Sequence, residues 1–443
     1  MRKPGSGAGH HRQLAVVGAC LALLAPARAW PEPGTEPIRL SFTEALRRVF
    51  IRNPDALIAS EEIARARAVV EQVRAGSLPT GTLAATYTQL NSARLTTGTP
   101  TSVILPRIGF NAAGTVGIGL DPRRWVQWSQ ARDNVTVARL GAEDVRRQLA
   151  VTVSQVYLSV LVQRKLVQAD ENAVRNAEAH VDYTRTRLDA GNGTLVDFQR
   201  ASALYFTDRA QLERTRFLLV RLQEQLGILL GESAPVDVSA EIQLPAAPSD
   251  LRRALEDADR LRSDLRLARE RLFATAKVRR DSWADFMPSA SASFEVQYQT
   301  PPTQTLPTES WQLLVMVAFP VYDGGLRYGL LKERRALESE AGVRLGATVR
   351  QVRSDVRTAL VELERARTAL ELAREAARLS TEVLRLTTVS YRTGLSNDLQ
   401  VIDAQLASRN AEISAALAEN DERQAQLDLL NATGHFPPTG SLP

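Results

Sequence analysis

An internal repeat constrains the fold of this chain more than any other feature of its sequence. Residues 45–79 recur as residues 254–288, and residues 191–201 recur as residues 394–404. The two pairs differ slightly in spacing, because the first copy carries a longer loop at 91–107 that is rich in Thr, Ser, Gly and Pro. Since a repeat of this length determines the architecture, we expect two copies of one arrangement of helices and strands.

The repeat divides the chain into five predicted segments. They are a signal peptide at 1–29, a first structural repeat at 30–231, a linker at 232–248, a second structural repeat at 249–434 and a C-terminal tail at 435–443. The linker contains three prolines, and prolines at this density favour irregular backbone.

The predicted signal peptide is an apolar run at 14–24 that follows three basic residues. The small residues Ala27 and Ala29 then form a cleavage site before Trp30. Acylation of Cys20 is the alternative, but too short an apolar segment precedes this residue. After cleavage the mature chain contains no cysteine, which suits an oxidising compartment without a disulfide framework.

The net charge of +5 belongs largely to the signal peptide. That segment contributes four basic residues and no acidic residue, so basic and acidic residues of the mature chain are nearly equal in number and interspersed. A nucleic-acid-binding protein needs a clustered basic surface. We therefore expect no nucleic-acid partner.

The helices predicted for each copy are long. Ser41 and Glu44 have the spacing of a capping box, which begins a helix that runs to about Ala75. Asp121 followed by Pro122 has the pattern of an N-cap and first helical position, and it predicts a helix over 123–189. At 1.5 Å per residue this helix is roughly 100 Å long, so it must pack along its length.

The second copy predicts a matching long helix at 325–391, and shorter helices follow at 195–230 and 398–432. Apolar residues in the long helices step alternately by three and four. They are Val135, Ala138, Ala142, Val145 and Leu149 in the first helix and Val349, Val352, Val356, Ala359, Leu363, Ala366, Leu370 and Ala373 in the second. This period predicts a left-handed coiled coil.

Four stretches alternate apolar and polar residues with the period of a β-strand. They are 80–90, 108–120, 289–298 and 311–320. Their length suits a tilted strand that crosses a bilayer, although a half-buried strand of a soluble sheet has the same pattern. Four strands cannot close a barrel and open edges are not tolerated in lipid, so several chains must combine; three chains give twelve strands.

Large aromatic residues flank these strands. Trp125, Trp128 and Tyr322 lie where strands join helices, and Trp311 lies at the opposite end. Because aromatic residues mark the two interfaces of a membrane, we predict that these four side chains lie at membrane interfaces. Ordinary packing at the junctions is the alternative.

Three motifs resemble those of the TolC-type outer-membrane factors, or outer-membrane efflux proteins. They are the opening from Leu40 to Asp55, the turn Tyr391-Arg392-Thr393-Gly394-Leu395-Ser396, and Pro320-Val321-Tyr322-Asp323-Gly324-Gly325 after the fourth strand. The similarity covers about residues 38–435, nearly the whole mature chain.

The resemblance implies a fold that is mainly α with β, with long α-helical coiled-coil hairpins plus four amphipathic strands per protomer. It implies a homotrimer that forms a twelve-strand outer-membrane β-barrel on a twelve-helix periplasmic tunnel. Such a channel is passive and receives substrate from an inner-membrane pump of RND, ABC or MFS type through a periplasmic adaptor (membrane fusion) protein. The expected location is the outer membrane, in contact with its lipid, with a large periplasmic portion.

The resemblance also places functional residues at the turns between the long and short helices. Gly191, Gly394, Leu395 and Ser396 would contact the adaptor. Asp197, Asp403, Gln400 and Tyr391 would form the periplasmic entrance or gate. The chain departs from the better-known pattern at Gln400, where an aspartate is expected, and at Ser396, where a basic partner is expected. Asp197 also has the capping-box spacing from Thr194, which is the structural alternative.

No catalytic constellation is recognisable, and we expect no enzyme activity, cofactor or metal. The mature chain has only two histidines, His180 and His435, far apart in sequence, and it lacks cysteine pairs and glycine-rich phosphate loops. A periplasmic coiled-coil protein without a pore is the main alternative. The substrate (drug, metal ion or protein) stays open.

Overall fold

The structure is a computed structural model that describes residues 37–95, 103–239, 242, 244–303 and 307–437. The predicted signal peptide, Cys20 and most of the predicted C-terminal tail lie outside these residues. Among the described residues, no helix combines the length and hydropathy needed to cross a bilayer.

The described residues are mainly helical, with shorter strands. The α-helices are α1 Phe42–Arg52, α2 Pro54–Ala75, α3 Pro122–Asp189, α4 Leu195–Leu229, α5 Leu251–Leu261, α6 Ser263–Arg280, α7 Leu326–Arg392 and α8 Asp398–Thr433. The strands are β1 Ile38–Leu40, β2 Thr80–Gln89, β3 Arg94–Leu95, β4 Val103–Leu105, β5 Ile108–Leu120, β6 Val236–Val238, β7 Ser289–Thr300 and β8 Glu309–Ala318. A short 3-10 helix, Asp281–Phe286, follows α6.

The two halves present the same order of main elements. In each half two shorter helices precede two strands, a long helix and a helix of intermediate length. The long helices contain 68 and 67 residues, as the sequence predicted. The limits proposed for the five segments remain a prediction.

The helix predicted from Ser41 to Ala75 is wrong in one respect, since it is two helices. Asn53 is extended, with φ −66° and ψ 132°, and its side chain accepts a hydrogen bond from the Asp55 amide at 2.8 Å. The reason is Pro54, which disfavours helical backbone at the preceding residue but suits the first position of a new helix. The second copy breaks likewise at Arg262, whose guanidinium contacts Asp264 at 2.6 Å and Asp355 at 2.9 Å.

The predicted coiled-coil seam is confirmed in α7. Its buried apolar residues are Val352, Val356, Ala359, Leu363, Ala366 and Leu370. All of them except Leu370 pack with Ala254 and Leu429 in one cluster. In α3 the seam is buried at Ala142 and Leu149. Small and branched residues alternate along these faces, which lets the helices approach closely.

The segment predicted as a linker contains a strand that the sequence did not indicate. β6 pairs in parallel with β1, and Val236 and Val238 are fully buried in a core with Tyr157. The Tyr157 hydroxyl donates to the Leu40 carbonyl at 3.2 Å. A small sheet against α3 therefore joins the segment before α1 to the segment after α4.

The four predicted amphipathic strands form one antiparallel sheet in the order β2-β5-β7-β8. Its register joins Thr115 to Glu295 and Glu295 to Gln312. The short strands β3 and β4 pair separately within the longer loop of the first copy. β2 and β8 are the two edges, and neither edge is paired by a described residue of this chain.

Candidate functional site

The first part of the candidate site consists of the turns that join α3 to α4 and α7 to α8. Gly191 and Gly394 follow the long helices with φ values of +74° and +81°, the left-handed backbone that glycine adopts without steric cost. The side chain of Leu395 is 84% exposed. The Ser396 hydroxyl turns back and donates to the Thr387 carbonyl at 3.4 Å.

Side-chain caps fix the start of each returning helix. The Thr194 hydroxyl accepts from the Asp197 amide at 3.1 Å. Asn397 and Gln400 form a reciprocal capping box. The Gln400 backbone amide donates to the Asn397 side-chain oxygen at 2.9 Å, and the Asn397 backbone amide donates to the Gln400 side-chain oxygen at 3.1 Å. Gln400 therefore has a structural task at the position where the family pattern has an aspartate.

Tyr391 is the most buried of the predicted gate residues, at 6% exposure. Its ring lies 5.6 Å from the rings of His180 and Tyr183, and the Arg187 guanidinium lies 5.2 Å from its centre. Burial raises the pKa of the Tyr391 hydroxyl, and the charges of Asp398 and Asp197 raise it further against the effect of Arg187. The hydroxyl therefore stays neutral near pH 7.

His180 and Asp398 form a buried contact between the two helical hairpins. The His180 Nε2 lies 2.7 Å from the Asp398 Oδ1, and the two side chains are 6% and 3% exposed. His180 belongs to α3 and Asp398 to the first turn of α8. The second carboxylate oxygen of Asp398, Oδ2, is buried without a hydrogen-bond partner among the described atoms. His180 is therefore the main hydrogen-bond partner of this carboxylate.

A second buried contact joins the same hairpins further from the turns. The Arg409 guanidinium of α8 lies 2.8 Å from Asp170 of α3 and 3.0 Å from Asp208 of α4. Thr215 donates to the other oxygen of Asp170 at 2.6 Å. One cation thus contacts two carboxylates. Burial raises the pKa of Asp208, and the negative charge of Asp170 raises it further, while the positive charge of Arg409 lowers it.

The other predicted gate residues lie near these contacts but are more accessible. Asp197 is half-buried in the first turn of α4, while Gln400 and Asp403 are exposed on α8. A cleft of about 150 Å³ at the contact between the hairpins is lined in part by His180, Tyr391 and Gln405. The structure thus brings Tyr391 into the contact between the hairpins and leaves Asp403 facing outward.

The second part of the candidate site is the sheet, whose apolar face is exposed. Leu83 is 86% exposed, Leu313 62% and Val317 69%. The four strands pack extensively only against one another, so their apolar side chains cover no core. Exposed apolar surface of this extent marks contact with lipid or another protein.

The predicted interface aromatics lie at two levels. Trp125 and Tyr322 are exposed where strands meet long helices, at 52% and 85%. Trp311 is 71% exposed and pairs with Val296. It lies seven residues, or about 23 Å, from Ala318 at the helical end of β8. Trp128 differs, because it is half-buried beneath the Arg132 guanidinium, which lies 4.7 Å from its ring.

Sequence reasoning missed both buried contacts between the hairpins. The sequence presents His180 only as an isolated histidine, and no motif in it distinguishes Asp170, Asp208 or Arg409. The two residues of each pair lie 201 to 239 positions apart in the sequence, and no local pattern predicts such a pairing. Within the described ranges, no three His, Cys, Asp or Glu side chains are grouped so that they could hold a metal ion.

Two outer membrane proteins match much of the chain. OprJ of Pseudomonas aeruginosa is 25% identical over 304 residues, which are 66% of this chain and 62% of OprJ. The match therefore spans less than two thirds of the length of OprJ. BepC of Brucella suis, an outer membrane efflux protein, is 26% identical over 346 residues, 75% of this chain and 74% of BepC.

Solved structures share the fold. A membrane protein from Pseudomonas aeruginosa aligns with a TM-score of 0.77 and 23% identity over 90% of this chain and 91% of its own. The outer membrane protein VceC from Vibrio cholerae aligns with a TM-score of 0.74 and 18% identity over 89% and 96%.

The family model described as Outer membrane efflux protein matches the chain in two consecutive parts, residues 45–232 and 252–435. The two matches together cover most of the chain and include both helical hairpins and all four long strands. The chain belongs to the outer membrane efflux protein family.

Proposed function

We propose that three copies of this chain form a passive exit channel in the outer membrane. The channel conducts substrate from a periplasmic adaptor and an inner-membrane pump of RND, ABC or MFS type to the exterior. The observation that carries the proposal is the four-stranded sheet, which has an exposed apolar face and two unpaired edges.

The edges of the sheet support assembly from several copies. All neighbouring strands are antiparallel, so β2 and β8 run in opposite directions. The β8 edge of one copy can therefore continue the antiparallel pattern on the β2 edge of the next. In lipid an unpaired edge leaves backbone donors and acceptors unsatisfied, and a closed barrel removes every edge.

The helices also carry apolar surface that one chain leaves uncovered. On α7 the exposed residues Leu372, Leu379, Val383 and Leu386 recur at intervals of three, four and seven, which is the spacing of one helical face. On α4 Phe206 and Phe217 are 64% and 66% exposed. Neighbouring copies would bury these faces and complete a helical tunnel below the barrel.

The turns would form the periplasmic end of this tunnel. The exposed Leu395, beside Gly394 and Ser396, is suited to an apolar contact with the adaptor, and Gly191 lies in the equivalent turn. His180 and Tyr391 hold the two hairpins of one copy together at this end, where Asp197, Asp403 and Gln400 would border the entrance. We assign the chain no catalytic role.

A periplasmic coiled-coil protein without a pore is the second candidate, and the exposed apolar sheet argues against it. Recordings from planar bilayers test the choice directly. Purified protein should give discrete conducting pores and should sediment with outer membranes after a high-salt wash. A protein that is released by salt as a monomer and gives no conductance would refute the channel proposal.

A further inference from the structure

Among the described residues of the four long strands, Glu295 is the one charged residue on the polar face of the sheet. On β7 the polar residues Ser291, Ser293, Glu295, Gln297 and Gln299 share a face, and Phe294, Val296 and Tyr298 share the other. The apolar side chains are exposed by 43% or more, whereas Glu295 and Gln297 are half-buried. This difference fits a sheet that curves around its polar face, which would face the lumen of the proposed barrel.

Neighbouring strands place no other charge on this face. The row of Glu295 contains Thr115 on β5, Thr82 on β2 and Gln312 on β8. Elsewhere in the described strands β2, β5, β7 and β8, the residues on this face are Gly, Ala, Ser, Thr, Asn, Gln, Leu and Met. Glu295 therefore dominates the charge of the wall over the middle of the strands.

A hydrogen bond holds the carboxylate in place. The Gln312 side chain donates from Nε2 to the Glu295 Oε2 at 2.8 Å, which orients the group without neutralising it. A basic side chain on the same face, Arg124, lies over Gly119 at the helical end and donates to the Gly76 carbonyl. Gly119 is four residues from Thr115, or about 13 Å along the strand, beyond the Debye length of about 8 Å at physiological salt.

We infer that Glu295 is a determinant of ion selectivity, as a ring of three carboxylates at one level of the lumen. The inference rests on the proposed trimeric channel. Twelve tilted strands at a spacing of about 4.8 Å enclose a barrel about 24 Å across. A Glu side chain that extends from this wall places its charge about 8 Å from the axis, within the Debye length of about 10 Å at 0.1 M salt.

The expected effect is moderate and depends on salt. Three charges at that distance enrich cations on the axis about threefold at 0.1 M salt. At 1 M salt the Debye length is about 3 Å, and the preference should nearly vanish. A wall without net charge would show no such dependence.

The experiment compares reversal potentials in planar bilayers under a KCl gradient, using the full-length protein and the variant Glu295→Gln. We expect the ratio of potassium to chloride permeability to fall by about tenfold at 0.1 M salt, because the ring depletes chloride by the same factor of about three by which it enriches potassium. The matched control is Glu309→Gln, because Glu309 pairs with Tyr298 on the apolar face of the same sheet; it should retain the wild-type ratio. A third variant, Thr82→Glu, adds a carboxylate to the row of Glu295 and should raise the ratio even if Glu295→Gln fails to assemble.

Each outcome is decisive. If the wild-type protein forms pores and Glu295→Gln leaves their selectivity unchanged, the role of Glu295 is refuted but the channel proposal is not. If Glu295→Gln does not assemble, unchanged selectivity in Thr82→Glu refutes that role in the same way. A wild-type protein that forms no pores refutes the channel and the selectivity inference together.

Discussion

Replacing His180 with alanine should loosen the contact between the two helical hairpins near their turns. The variant leaves the Asp398 carboxylate buried with neither oxygen paired, because Oδ2 already lacks a partner among the described atoms. Leaving a buried acceptor unsatisfied typically costs about 1–3 kcal/mol and more for a carboxylate, so we expect about 3 kcal/mol here. Asp398→Ala should cost less, about 1–2 kcal/mol, because it leaves one imidazole nitrogen without a partner rather than both oxygens of a carboxylate.

Amide hydrogen exchange measures this cost locally, in the detergent-solubilised protein. An opening free energy lowered by about 3 kcal/mol speeds exchange by about 10²-fold, and we expect this for residues 176–184 and 398–405 in His180→Ala. The pore should also conduct more. The control is His435→Ala, since His435 is the other histidine of the described residues and lies beyond the far end of α8. Equal exchange at the turns in both variants would show that the pair does not hold the hairpins together.

Three further predictions concern the turns and the buried charges. Changing Asp197 and Asp403 together to alanine should reduce cation selectivity and alter conductance in bilayers, and unchanged values would exclude an acidic entrance ring. Gly394→Ala should cost about 1–2 kcal/mol, because an L-residue is strained at φ +81°, whereas Gly141→Ala, inside α3 with open space around it, should stabilise by about 1 kcal/mol; equal melting temperatures would contradict this. Burial raises the pKa of Asp208 in the folded protein above its ordinary value of 3.8. Protonation of Asp208 therefore stabilises the folded state. This stabilisation is complete below the pKa of Asp208 in the unfolded chain, and it is lost as the pH rises through the pKa in the folded protein. The melting temperature of Asp208→Asn relative to wild type should therefore be higher at pH 7.5 than at pH 3.5, and a difference independent of pH would refute it.

The main elements could be predicted because their signals are local. Asp121 and Pro122 define the start of α3, and the steps of three and four between Val352 and Leu370 define the buried face of α7. The alternation in Phe294, Val296 and Tyr298 likewise defines a strand. These patterns depend on residues a few positions apart, and the structure confirms the elements within a few residues.

Long-range pairing could not be predicted. β1 and β6 have three residues each, and strands of this length have no useful periodicity before they pair. His180 and Asp398 meet only because the two hairpins pack side by side. The break at Asn53 is different, because its signal is local: Pro54 disfavours helical backbone at the residue before it.

The central claim is that the free edges of the sheet pair between identical chains, and disulfide trapping tests it most directly. Cys20, in the predicted signal peptide, is the one cysteine of the sequence, so introduced cysteines report without interference. Cysteine at Ala84 on β2 would be combined in turn with cysteine at Ser310, Gln312 or Leu314 on β8, all on the polar face. We expect oxidation to give covalent trimers for at least one pair and no larger species. Only monomers with every pair, in protein extracted from membranes, would contradict it.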